Sequence, residues 1–340
     1  MLTEKTMTLH PHIKWAAAIA LCLATGLGAC RRTDGHASSA SVAAAAGKAA
    51  DSVALDGEST SYSIPADPFT YWVSLAEPSR PDKMDEWRRL AGRGEPEAQT
   101  YLGARAFANK DFQQAAGWFR KAAEQDNANA QYMVGVQYAS GLGALKDYAK
   151  AAEWFRKAAE RGVKYAQSDL GLLYKLGQGV PKNDQQAAAW FMKAADQGFA
   201  PAQFHLALLY RNGQGLGQNV QQAAALTRKA AEQGYAPAQY NLAVFLSRGE
   251  GVGKDPKQAF AWELKAAEQG HAMAQHMTGL AYVRGTGTDK DVVLAYQWCS
   301  LAVPSLFEAS RCVNQALSQM TRAQHEQGKK LVKEWRAQGD

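Results

Sequence analysis

Trp118, Trp154, Trp190, Leu226, Trp262 and Trp298 stand 36 residues apart in six successive copies, with no slip in the spacing. A fixed period of this size points to two-helix units stacked on one another, because a single hairpin cannot bury its apolar face alone. Such an array offers an extended binding surface before it offers a catalytic pocket.

Each copy has the same two halves. Ala115 to Ala123, Ala151 to Ala159, Ala187 to Ala195, Ala223 to Ala231 and Ala259 to Ala267 carry the second helix. The first helix begins at Ala130, Ala166, Ala202, Ala238 and Ala274, with an earlier start at Ala98, and a Gln follows each of these alanines. Positions zero, four and eight of a helix share one face, and a small residue at offset five lets a neighbouring backbone approach. This spacing predicts Val134, Leu170, Leu206 and Leu242 as core, with Tyr138, Tyr174, Tyr210, Tyr282 and the substitute Leu246. The recurring tryptophan is expected to plug the gap between units.

The punctuation also repeats. Gly141-Leu142-Gly143, Gly177-Gln178-Gly179, Gly213-Gln214-Gly215, Gly249-Glu250-Gly251 and Gly285-Thr286-Gly287 end the first helices. Asp147, Asn183, Asn219, Asp255 and Asp291 follow where a side-chain oxygen can accept from the free amides that open the second helix. They read as N-caps and not as metal ligands. A Gly-x-Gly triplet recurring in every copy without a preceding strand does not match a nucleotide fingerprint.

Written as A-x-x-W-x-x-K-A-A-x-x-G, A-x-x-x-L-G-x-x-Y and G-x-G-V, the unit resembles the Sel-1-like repeat family, relatives of the tetratricopeptide repeats, over residues 95–303. The first copy departs from it, with Asn109-Lys110-Asp111 in place of the glycine turn, as does the last, with Trp298-Cys299-Ser300-Leu301-Ala302. The resemblance implies an all-α, right-handed superhelical solenoid of about six helix-turn-helix repeats with terminal capping helices. It also implies protein binding rather than a defined chemistry. A helix from Asp82 to about Gly92 is expected to cap one end, and helices within 304–340 the other, with Thr321 as an N-cap.

The apolar run from Trp15 to Leu27, 13 residues after Lys14, is too short for a spanning helix and suits a signal-peptide core. With Leu27-Gly28-Ala29-Cys30 it resembles a bacterial lipoprotein signal, which implies cleavage before Cys30 and lipidation of that residue. A plain secretory peptide and an uncleaved anchor are the competing readings, and translation starts at Met1 or Met7. Residues 1–29 are thus expected as signal and 30–64 as an Ala/Ser-rich tether, spanning roughly 30–35 Å as a random coil. Residues 65–94 are expected to form an extended segment and the capping helix. Arg31 after the lipidated cysteine favours, by the family's sorting tendency, an outer-membrane site facing the periplasm.

Loss of residues 1–29 removes Glu4, Lys5 and Lys14, a net +1, and leaves +5 of the chain's +6. A mild excess on solvated second-helix faces gives little reason to expect nucleic acid. Beyond Cys30 the chain holds two cysteines, Cys299 and Cys312, expected either as a disulfide or as buried free thiols. His271 and His276 lie five apart, out of helical register for a shared metal. No catalytic, cofactor or metal residue is assigned.

Residues that vary between copies on the first helix are the candidates for partner contact. Offsets two and three offer Tyr132, Asp169, Phe204, His205, Tyr240, Asn241 and His276, and the last turn adds Arg211, Arg248 and Arg284. Either these aromatics face a partner, as at interface hot spots, or they pack on the next unit. The expected role is that of a non-catalytic scaffold or adaptor binding through the concave first-helix face. The alternatives are an immunity protein that neutralises a secreted antibacterial effector and, further off, an enzyme on cell-wall or β-lactam substrates.

Overall fold

The computed structural model describes residues 81–339, which form fifteen α-helices with no strand among them. The expectations for Cys30, the signal, the tether and residues 65–80 lie outside the described residues. The chain divides into two compact units, whose described parts are 81–262 and 263–339.

In the first unit, α1 (Pro81–Gly92) precedes four hairpins: α2 (Pro96–Ala108) with α3 (Phe112–Glu124), α4 (Ala128–Ser140) with α5 (Tyr148–Glu160), α6 (Lys164–Leu176) with α7 (Asp184–Asp196), and α8 (Ala200–Asn212) with α9 (Val220–Glu232). α10 (Ala236–Arg248) follows, and α11 (Pro256–Glu268) crosses the boundary between units. Trp87 of α1 stacks on Tyr101 of α2 with ring centroids 4.6 Å apart, so α1 covers the apolar face that the first hairpin would otherwise expose.

Local chemistry sets the helix ends. Asp147, Asn183, Asn219, Asp255 and Asp291 each accept a backbone N–H from the first turn that follows them. Gly177 ends α6 in the left-handed region (φ 70°). Gly179, also at φ 70°, has a second constraint, because a Cβ there would strike the Tyr148 carbonyl at the start of α5. Gly143, Gly215 and Gly251 lie in the same way against Phe112, Asp184 and Val220, each at the second-helix start of the preceding hairpin.

The packing corrects two expectations. The tryptophans are not the plugs: Trp118, Trp154 and Trp190 are only half-buried, and lysine ammoniums sit over their rings, Lys157 at 4.1 Å and Lys193 at 4.0 Å. The fully buried ring belongs to the next residue, and the gap it fills lies within each hairpin. Phe119, Phe155 and Phe191 are each 0% exposed, and their rings fill the space left by Gly103, Gly135 and Gly171 on the first helices. Leu226 and Trp298, by contrast, are buried. The tyrosine column is the second correction. Leu170, Leu206, Leu242, Val134 and Leu246 are core, but Tyr138, Tyr174, Tyr210 and Tyr282 are half-buried at its edge. The Tyr174 hydroxyl accepts from Arg156 at 2.7 Å.

The glutamine after each first-helix alanine has a structural task that periodicity alone did not show. Gln131, Gln167, Gln203 and Gln239 are buried, and their amides donate to the carbonyls of Ala123, Ala159, Ala195 and Ala231 near the end of the preceding second helix. Gln167 and Gln203 also accept at 2.8 Å from Gln197 and Gln233 at the far end of their own hairpin. Each of these carbonyls also accepts a backbone N–H from the turn that follows, from Asp126, Gly162, Gly198 and Gly234, so the glutamine supplies its second bond and ties the next first helix to that turn.

In the second unit, α12 (Ala272–Arg284) pairs with α13 (Val292–Ala302), and α14 (Ala309–Leu317) and α15 (Arg322–Gly339) pack on α13. Trp335 meets Trp298 edge-on at 5.1 Å. Thr321 and Gln324 exchange bonds in a capping box that opens α15.

Candidate functional site

The first helices of a stack have a neighbour on each side, and this decides which side chains remain available. Along α4, every residue from Ala130 to Gln137 is buried. Tyr132 donates its hydroxyl to Asp169 of α6 at 3.1 Å, and its ring packs beside Phe155 and Tyr165. Phe204 packs against Tyr235 with centroids 5.5 Å apart. Tyr132, Asp169, Phe204, Tyr240 and Asn241 are all buried, so their assignment to an open partner-binding row is corrected; Tyr132 and Asp169 join α4 to α6, and Phe204 reaches Tyr235 ahead of α10.

The accessible part of the candidate face is its polar edge. His205 is half-buried, its ring stacked on Phe191 at 5.0 Å. Arg211, at the end of α8, reaches Glu250 at 3.2 Å, and Arg248, at the end of α10, reaches the other oxygen of that carboxylate at 3.5 Å. Two guanidiniums on one carboxylate leave a net positive charge at the mouth of the glycine loop. Arg211 is also braced over the Phe245 ring at 5.8 Å. Arginine forks held this way suit carboxylate recognition.

Two of the remaining candidates lie in the second unit. Arg284, at the end of α12, is exposed, and His276 is half-buried on the same helix. Cys299 and Cys312 are joined as a disulfide between α13 and α14, Cα atoms 5.8 Å apart. His271 caps α12 by accepting the Ala274 amide through Nδ1 at 3.2 Å, and burial lowers its pKa.

The periodic reading also missed Glu263. It occupies in α11 the register that Phe119, Phe155 and Phe191 hold in earlier copies, it is buried, and desolvation raises its pKa to about 7. Its position after the recurring Trp262 could have flagged it as a carboxylate in the buried column.

Six consecutive segments, 96–127, 128–163, 164–199, 200–235, 236–271 and 272–303, match the Sel1 repeat. The chain belongs to the Sel1 repeat family. Its fold is that family's all-α repeat solenoid, related to the tetratricopeptide repeat. A Sel1 repeat protein of known crystal structure from Oxalobacter formigenes is 33% identical to it, over 61% of this chain and 85% of that one, with a TM-score of 0.55. The crystal structure of c5321, a protective antigen of uropathogenic Escherichia coli with an SLR fold, is 26% identical over 74% and 78%, with a TM-score of 0.42. Immunity protein PA5088 from Pseudomonas aeruginosa is 20% identical over 62% and 82%, at 0.41. The last two scores carry no functional argument. No curated protein matches the chain. As a Sel1 repeat protein it is a scaffold for protein–protein interaction, a role in which such repeats are generally non-catalytic.

Proposed function

We propose that this Sel1 repeat protein is a lipid-anchored envelope scaffold that holds an acidic protein partner against the cationic ends of its first helices. The carrying observation is the Arg211, Glu250 and Arg248 cluster. It remains accessible after the aromatic row has been consumed by packing, and it presents excess positive charge on a rigid base. Arg211→Ala combined with Arg248→Ala is expected to keep the helix content and weaken partner capture by about tenfold or more, with the wild-type affinity falling as salt rises. Co-precipitation with the purified partner over a salt series reads both effects, and unchanged capture would remove this edge as the binding site. Capture of an antibacterial toxin in that experiment would make the protein an immunity factor.

The anchoring half of the proposal rests on Leu27-Gly28-Ala29-Cys30 behind its apolar run. Cys30→Ser is expected to abolish incorporation of a labelled fatty acid and to move the protein out of the outer-membrane fraction. Unaltered fractionation and labelling would contradict it.

A further inference from the structure

Three segments of the second unit bring three soft or borderline donors to one point. A ring nitrogen of His276 (α12), Sγ of Cys299 (α13) and Sγ of Cys312 (α14) all lie within 4.8 Å of one another, the one such group of His, Cys and acidic residues among the described residues. Both sulfurs are buried. His276 Nδ1 is also sealed from solvent, and it has no hydrogen-bond partner. An imidazole nitrogen in that position is costly to leave uncompensated, and it calls for an explanation.

The surroundings are shaped for sulfur. Cys299 stands at the register where the first three hairpins place a phenylalanine, and Gly279, one turn beyond His276, leaves open the space that the Cys299 sulfur occupies. Burial lowers the His276 pKa, a shift that Glu308 opposes and Arg284 reinforces.

We propose that in the dithiol state His276, Cys299 and Cys312 form a binding site for one soft d10 metal ion, and that the disulfide is the metal-free, oxidised state of the same locus. A dithiol reductant delivers two electrons and two protons, breaks the Cys299–Cys312 bond and leaves as its own cyclic disulfide. The metal ion then displaces the two thiol protons, forms two sulfur–metal bonds and takes its third from the imidazole lone pair. Three donors of this kind satisfy monovalent copper as they stand, whereas Zn(II) needs a fourth ligand such as water. Either ion would tie α12, through His276, to the two helices that the disulfide joins.

The test uses the full chain carrying Cys22→Ser and Cys30→Ser, in which Cys299 and Cys312 are the remaining thiols of four. The protein is reduced with a dithiol, freed of it without air, and titrated with Cu(I) against a chromophoric Cu(I) chelator and, separately, with Zn(II) against a zinc chelator. One equivalent of one ion is expected to bind the reduced protein and none the oxidised protein, and the arm that responds names the metal. His276→Gln, with its disulfide verified by mass and its helix content unchanged, is expected to bind at least about 100-fold more weakly. No binding by the reduced protein in either arm, or equal binding after His276→Gln, would overturn the proposal. Because the His276 variant leaves both cysteines in place, the test does not depend on a cysteine variant folding.

Discussion

Phe155→Ala is expected to lower the unfolding free energy by about 3–5 kcal/mol, the range for removing a fully buried phenylalanine whose site cannot collapse. Collapse is blocked because the ring lies against Gly135, where a Cβ would come within 2.5 Å of it, and against Tyr132 of the same first helix. The two helices are held apart by their own backbones, so the cavity persists. Trp154→Ala, one residue earlier, removes a half-buried ring and the Lys157 contact, and is expected to cost about 1–2 kcal/mol. Urea unfolding followed by helical ellipticity compares the two. A larger loss for Trp154 than for Phe155 would refute the assignment of the phenylalanine as the plug.

Glu263→Gln is expected to stabilise the protein at high pH and to do little at low pH. The buried carboxyl titrates near 7 in the fold, against an ordinary value of 4.5. The folded state therefore disfavours the ionised form. The neutral carboxyl costs nothing extra below about pH 4.5. Stability is then lost as the pH rises from 4.5 through about 7, and above 7 the full penalty of about 3 kcal/mol applies. Glutamine has the same shape and does not ionise. Unfolding midpoints at pH 4 and pH 8 should thus coincide for the two proteins at the acid end and separate, with the variant higher, at the alkaline end. A variant no more stable than the parent at pH 8 would mean that Glu263 is solvated or paired when ionised.

These two residues also show what was legible in the chain. Helix ends were readable because they depend on residues within a few positions: Asn183 caps α7 and Gly177 ends α6 through local geometry alone. Trp154 and Phe155 recur with the same period, and the sequence holds nothing local to say which of two adjacent side chains faces the neighbouring helix. The tryptophan column also looks the more regular, because the plug column drifts from Phe191 to Thr227, Glu263 and Cys299. The partner-facing row failed for a related reason. A helix inside a stack is covered on both flanks, so the residues that vary between copies, such as Tyr132 and Asp169, vary as matched pairs across a buried contact rather than as an open surface. The arginines at the helix ends were found because they stand in the last turn, where cations complement the helix dipole. His276 could not be linked to Cys299 and Cys312, since the three come from separate helices that only the fold brings together.

Site-specific photocrosslinking separates the two long sides of the repeats most directly. A photoreactive residue at Asn212, exposed beside Arg211 at the end of α8, should capture the protein partner, whereas one at Ala189, exposed on α7, should not. Partner crosslinked from Ala189 and absent from Asn212 would place binding on the second helices and contradict the first-helix site.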